Sequence, residues 1–321
     1  MAVEISSDIA KAALALKQGN LVAIPTETVY GLAADAENES AVAKIYLAKN
    51  RPLDHPLIIH LAGSKQLPHF ATDVPEYANN LIRDFWPGPM TLILKRTGNS
   101  KDFVTGNQET VGVRVPNHPV ALELLNKFVT LGGNGVAAPS ANRYGYVSPT
   151  SALAVKEGLG DNLSDGDLIL EGGPSEVGVE STIIDCTCAN PRILRPGAIS
   201  AEMIEVSTGI ILDKAFESSI RVSGSHKQHY SPNAWVLVNQ KPEPGDGLIA
   251  PIEYSTPDNV IRLSSPADNS EYARELYAAL SKADALGLKR VCIIEPEGDG
   301  LAIAIRDRIT RAAAREQNES N

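Results

Sequence analysis

Residues 21–32 read LVAIPTETVYGL. Residues 21–24 form a short apolar run with the length and side-chain branching of a buried strand. Pro25 has no N–H to give to a ladder and closes that strand. Thr26, Glu27 and Thr28 then fall at a strand's carboxyl end, where open α/β sheets place their ligands. Tyr30 adds an aromatic face, and Gly31 permits a close backbone approach. On this stretch alone, an ordinary polar turn after a strand is an equally good reading.

Working outward, Ile9, Ala12, Ala13 and Leu16 recur at helical spacing behind a cap at Ser6 or Ser7, and Gly19-Asn20 stops that helix. Residues 39–48 read as a second helix, which delivers Lys49 and Arg51 just before Pro52. Strands are expected at 57–61, 90–94, 111–115, 136–138, 168–170, 182–185 and 192–194, with helices at 75–85, 118–128, from 151, and at 201–204. Periodicity fails over residues 207–233, which read as a linker. It restarts with strands at 234–238, 248–250, 260–263 and 291–294 and helices at 269–286 and 301–314. The fold class is therefore α/β, with a larger domain over 1–206, the linker 207–233, and a smaller α/β domain over 234–321.

Composition limits the function classes. The 321 residues are 43% hydrophobic and 21% charged, ample for two cores. A net charge of −10 argues against a broad nucleic-acid or anionic-membrane surface. Cys186 and Cys188, two of three cysteines, fit neither zinc spacing nor a disulfide framework and suit a reducing, cytoplasmic setting. No apolar run approaches the roughly 18 residues of a membrane span. The N-terminal residues carry acidic groups and a helical period, unlike a signal peptide.

Familiar nucleotide motifs are missing. There is no GxxxxGK[ST]. Residues 133–138, GNGVAA, match G-x-G-x-x-A by letter, but the apolar run and Pro139 after them predict a strand where that motif needs a helix. Gly298 and Gly300 read as a turn between strand and helix. Lys49 and Arg51, two apart in an extended exit, would point the same way and suit phosphate oxygens; a helix C-terminus also simply favours cations. Ser140 and Asn142 repeat that spacing after Pro139, with hydrogen-bonding groups for a phosphate or ribose or for an ordinary turn. Glu180-Ser181-Thr182 is another polar cluster at a strand end. Arg114 lies among valines and needs a partner. His60 is a core histidine or a general base. No nucleophile-and-base arrangement is visible, so the polar set suits substrate positioning and phosphate neutralisation.

Together these stretches resemble the YrdC-type threonylcarbamoyl-AMP synthases. The motifs run in order: PTETVYGL at 25–32, Lys49-x-Arg51-Pro52, His55-Pro56-Leu57 with His60, WPGPMT at 86–91, Arg114-Val115-Pro116, APSAN at 138–142, SPT at 148–150, GVEST at 178–182 and LRPG at 194–197. Residues 229–232, HYSP, and the second α/β region resemble the longer, two-domain form. Three departures stand out: Asn50 replaces a usual glycine, Tyr144 a usual serine, and VSGSHKQ at 222–228 a Pro-Gly-Met-Lys-like run.

The resemblance implies a twisted, open, mixed sheet with helices, followed by a Rossmann-like second domain. It implies that L-threonine, bicarbonate or CO2 and ATP yield threonylcarbamoyl-AMP and pyrophosphate, with Mg²⁺ accompanying ATP. A separate transferase would carry the product to adenosine 37 of tRNAs reading ANN codons, so direct RNA binding should be weak or absent and no membrane is involved. Lys49, Arg51, Ser140 and Asn142 would form the catalytic and nucleotide set. His55, Thr110, Ser148, Arg195 and Tyr230 would complete the ATP site, with Tyr230 part of a lid. Thr28, His60, Arg114, Ala138 and Ser181 would hold threonine. An RNA-binding module on a basic concave face, and a carbamoyl-adenylate-forming hydrogenase maturation factor, are the competing readings. The latter usually carries zinc-finger and acylphosphatase regions that this chain lacks.

Overall fold

The computed structural model describes residues 3–212, 218–224 and 230–314. Its first part runs β1 (Glu4–Ser6), α1 (Ile9–Lys17), β2 (Val22–Ile24), β3 (Gly31–Asp35), α2 (Glu39–Lys49), β4 (Ile58–His60), α3 (Leu67–Phe70), β5 (Ala71–Thr72), α4 (Glu76–Phe85), β6 (Met90–Arg96), α5 (Asp102–Thr105), β7 (Thr110–Arg114), α6 (Pro119–Thr130), β8 (Val136–Ala137), α7 (Ala152–Leu159), β9 (Leu168–Leu170), β10 (Thr182–Asp185), β11 (Arg192–Arg195) and α8 (Ala201–Thr208). Its second part runs β12 (Trp235–Val238), β13 (Gly247–Ile249), β14 (Ile261–Ser264), α9 (Asn269–Ala285), β15 (Arg290–Ile293) and α10 (Leu301–Ala313).

The first sheet is mixed, in the order β1-β9-β2-β3-β8-β4-β7-β6-β10-β11, with β5 added on β6. Pro25 ends β2 as its missing N–H requires. The chain then turns through residues 26–30 and returns antiparallel as β3, with Ile24 opposite Gly31. That return strand is absent from the sequence reading, which left residues after Pro25 as a turn. Its residues, GLAAD, carry little β-propensity; β2 and β8 hold it by pairing on both sides. Helices α1 and α6 pack together over one face around Leu16, Leu124 and Phe128. The larger core, including Leu32, Ile45, Ile59 and Leu92, fills the other.

Two helix ends correct local expectations. Asp8, not Ser6 or Ser7, caps α1, accepting from Lys11 N at 2.9 Å. Ser6 is spent in β1, paired with Leu170. At the end of α2, Asn50 takes the left-handed conformation at φ 51° and ψ 45°. Asparagine enters that region at small cost, so it supplies the same C-terminal stop as a glycine.

The second sheet is wholly parallel, in the order β12-β15-β13-β14, with α9 and α10 packed on it. It abuts the first part closely. Gly178, at φ 79°, has no room for a side chain: a Cβ there would sit 2.4 Å from the Ala273 carbonyl oxygen of α9. Val179 is buried in the same cluster as Leu276 and Tyr277. The described part of the expected linker is also fastened down. Arg221 and Gln108 exchange amide hydrogen bonds of 2.7 and 3.0 Å, and Val222 packs with Ile93 and Ile183. His229 and residues 225–228 lie outside the described residues. Among those described, no helix is long and apolar enough to cross a membrane.

Candidate active site

The 26–30 turn, the end of β4, the 138–140 turn and the entry to β10 meet around one cavity. It encloses about 40 Å³, and Ser223 and Tyr230 help to close it. Thr28, His60, Arg114, Ala138, Ser140, Ser181, Arg195 and Tyr230 all line it. Residues more than a hundred positions apart therefore converge, because the sheet order places β3, β8, β4, β7 and β10 within a few strands of one another.

Arg114, at the end of β7, forms one corner. Its Nη1 donates to Thr28 Oγ1 at 2.9 Å and its Nε to the Gly88 carbonyl at 3.2 Å. Its Nη2 lies 2.7 Å from Glu27 Oε1, with both side chains about 95% buried (5% and 4% exposed). Neither Glu27 oxygen has a well-aligned hydrogen-bond donor, so charge holds this pair more than hydrogen-bond geometry does. The partner that a buried arginine requires is thus Glu27, a residue the sequence placed in the turn without a role. Tyr30 is structural: its buried hydroxyl donates to the Gly173 carbonyl at 2.8 Å.

His60 stands beside Arg114 in the paired strand. Burial, and then the charge of Arg114, pull its imidazole down to about 3. A base that weak is a poor proton acceptor at neutral pH, which disfavours the general-base reading. If Nδ1 carries the proton, as its 3.3 Å approach to the Ile58 carbonyl suggests, Nε2 is left as a neutral acceptor. In the unfolded chain the group returns to about 6.5. Between those values the unfolded state binds more protons, so the stability that depends on neutral His60 is present above pH 6.5 and lost as pH falls toward 3. The KM of a substrate bound in this cavity should show no inflection near pH 6.5 that His60→Gln removes; finding one would return His60 to a proton-transfer role.

Lys49, the last residue of α2, is 1% exposed. Its Nζ donates to the carbonyls of Ser140 at 2.6 Å and Asn142 at 2.5 Å, and its own carbonyl accepts from Tyr144 N at 2.8 Å. Burial, and then Arg51, push its ammonium well below the usual lysine range, whereas two short donations favour the charged form. Lys49 therefore fastens the 140–144 loop and does not line the cavity. Arg51 reaches the Pro56 carbonyl at 3.1 Å and Ser223 Oγ at 3.4 Å, and its Nε has no hydrogen-bond partner. Its guanidinium lies 6.0 Å from the Tyr144 ring, which meets the His55 ring edge-on at 5.3 Å. Tyr144 is thus a wall of this region that the sequence recorded only as a departure. Asn142 donates to the Arg143 and Tyr146 carbonyls, while its buried Oδ1 has no hydrogen-bond partner.

The entry to β10 splits two roles between neighbours. Ser181 exchanges a 2.8 Å hydrogen bond with Thr91 and accepts from Arg195 Nη2 at 3.1 Å at the cavity wall. Glu180 reaches toward the second sheet, taking donations from Ser148 at 2.7 Å, Tyr277 at 2.9 Å and Arg308 Nε at 2.8 Å. Burial would raise its carboxyl, but Arg308, Arg195 and the Ser148 hydroxyl outweigh that and hold it at about 2. Ser148, expected at ATP, is accordingly buried with its hydroxyl on Glu180 and does not line the cavity. Thr110 lines a neighbouring cleft beneath Arg221, Val222 and Ser223.

Known proteins match along almost the whole chain. Residues 14–197 match the family model described as "Telomere recombination", and residues 199–314 the one described as "Threonylcarbamoyl-AMP synthase, C-terminal domain". The threonylcarbamoyl-AMP synthase of Pyrococcus abyssi is 38% identical, over 93% of this chain and 92% of the relative. That of Bacillus subtilis is 38% identical, over 95% and 92%. A crystal structure of P. abyssi Sua5 complexed with L-threonine superposes with a TM-score of 0.84 at 37% identity, covering 95% of this chain and 94% of that one. Both regions of the chain, their order and the paired sheets agree, and the chain belongs to the threonylcarbamoyl-AMP synthase family in its two-domain form.

Proposed function

We propose that this chain condenses L-threonine, bicarbonate or CO2 and ATP into threonylcarbamoyl-AMP and pyrophosphate. The observation that carries the reading is the Arg114 corner: a buried guanidinium and the Thr28 hydroxyl face a cavity whose other side is the 138–140 turn. Arg114 suits threonine's carboxylate, and Thr28, His60, Ala138 and Ser181 suit the remainder. The P. abyssi structure with L-threonine supports that choice. Threonine's amine adds to CO2 and loses a proton, giving a carbamate. A carbamate oxygen attacks the α-phosphorus of ATP, and the bond to the β-phosphate oxygen breaks as pyrophosphate leaves.

The triphosphate falls to Arg51 and to Ser140 and Asn142, positioned by Lys49, with Arg195 and Tyr230 beside them. His55 and Tyr144 offer an aromatic wall for the base. Thr110 and Ser148 join this set, one from a neighbouring cleft and the other through Glu180. Among the described residues no three His, Cys, Asp or Glu side chains converge as metal ligands, and Glu180 is committed to Arg308. Mg²⁺ therefore fits as a companion of the triphosphate, held by phosphate oxygens and water, where it would neutralise charge during transfer. Ligand sites of this kind need about 300 Å³ or more, so Ser223 and Tyr230 must give way for substrates to enter. The division at 1–206, 207–233 and 234–321, a cytoplasmic location, and hand-over of the product to a separate tRNA transferase belong to the same proposal.

Purified protein with ATP, threonine and bicarbonate should release pyrophosphate only when all three are present. Release independent of threonine would reject the assignment.

A further inference from the structure

Arg308 lies on α10 in the second part of the chain and is fully buried, at 0% side-chain exposure. Burying a guanidinium is costly unless excellent partners compensate. Its partners are unusual in where they come from. Nε donates to Glu180 Oε2 at 2.8 Å and Nη2 to the Pro196 carbonyl at 3.0 Å, while Nη1 reaches Asp307 on its own helix. Its Cζ stands 5.4 Å from the centre of the Tyr230 ring. Tyr277 of α9 completes the arrangement, donating to the same Glu180 oxygen at 2.9 Å and meeting Tyr230 at 5.5 Å between ring centres.

Each contact adjoins a group at the cavity. Glu180 precedes Ser181, and Pro196 follows Arg195, whose guanidinium holds the Ser181 carbonyl at 2.9 Å and the Ser223 carbonyl at 2.7 Å. Tyr230 lines the cavity itself, with its hydroxyl against Gly224; a Cβ at Gly224 would fall 2.3 Å from it. An apolar residue would fill the space of Arg308 at lower desolvation cost, yet would hold none of these three segments.

We propose that Arg308, with Tyr277, is a positioning residue of the second domain: anchored on Glu180 and Pro196, Arg308 and the Tyr277 ring, itself held by its hydroxyl on Glu180, fix the Tyr230 ring at the nucleotide side of the site. The inference rests on the functional reading above and gives the second domain a part in it. Arg308 and Tyr277 touch no substrate; they act through Tyr230.

A double-mutant cycle tests this in the full chain. Arg308→Met should raise KM for ATP about tenfold, and Tyr277→Phe, which removes one hydroxyl, about threefold. In a Tyr230→Ala background both effects should shrink to within twofold, because the group they act through is gone. Equal rises in both backgrounds, or no rise in either single variant, would overturn the proposal. Should Arg308→Met fail to fold by circular dichroism, Tyr277→Phe carries the same cycle alone. Wild-type protein without threonine-dependent pyrophosphate release would reject the functional reading instead, and equilibrium ATP binding by the same six proteins would still decide the coupling.

Discussion

Arg114→Ala is expected to lose threonine-dependent turnover and folding stability together, for separable reasons. The stability loss comes from Glu27. Its carboxylate is 4% exposed, has no aligned hydrogen-bond donor, and is ion-paired with Arg114 at 2.7 Å. Removing the arginine strands that charge, at a cost of about 3–5 kcal/mol. The functional loss comes from the guanidinium itself, a charged group of the cavity wall that is bonded to Thr28. Truncating a buried charge partner weakens binding by about 2–5 kcal/mol, which is thirtyfold or more in KM for threonine. The pair Glu27→Gln with Arg114→Met separates the two. It removes both charges, so the chemical denaturation midpoint should recover most of the way while threonine KM stays high. A stable double variant with ordinary threonine KM would show that Arg114 serves the fold alone.

That separation was invisible in the sequence. The strand before Pro25, the cations at 49 and 51, and the alternation of strands and helices in the second part were legible, because each depends on local spacing and on proline chemistry. The strand β3 was not, since its short alanine-rich run is extended only because β2 and β8 flank it. Glu27 and Glu180 both read as loop polar residues, because their arginine partners are 87 and 128 positions away. The resemblance put Ser148 in the ATP site, and a hydroxyl in a sequence does not announce whether it faces a cavity or a buried carboxylate. Arg308 did carry a local signal. It sits between Ile305 and Ile309 on the stripe that also holds Ala312, so its helical position alone places a charge on the buried face of α10. A charge there needs a partner.

Lys49→Ala is the second large effect, and it tests which kind of work this lysine does. A clamp on phosphate oxygens would face the cavity. Lys49 instead spends two donors on the Ser140 and Asn142 carbonyls and anchors Tyr144 N through its own carbonyl. Losing the ammonium leaves a part-buried and a buried carbonyl without that donor, at about 1–3 kcal/mol each, and frees the turn that carries Ser140 and Asn142. Displacing reacting groups by about an ångström costs on the order of a hundredfold in rate. Turnover should therefore fall about a hundredfold or more, while ATP affinity, left with Arg51 and its neighbours, falls only a few-fold. If Lys49 contacts the triphosphate directly, ATP affinity and turnover should collapse together. Lys49→Arg sharpens the distinction. A guanidinium is too large and too planar for the two-carbonyl socket, so a positioning role predicts that keeping the charge rescues little of the rate, whereas a charge clamp predicts substantial rescue. Unchanged turnover in Lys49→Ala would remove the residue from the mechanism in either role.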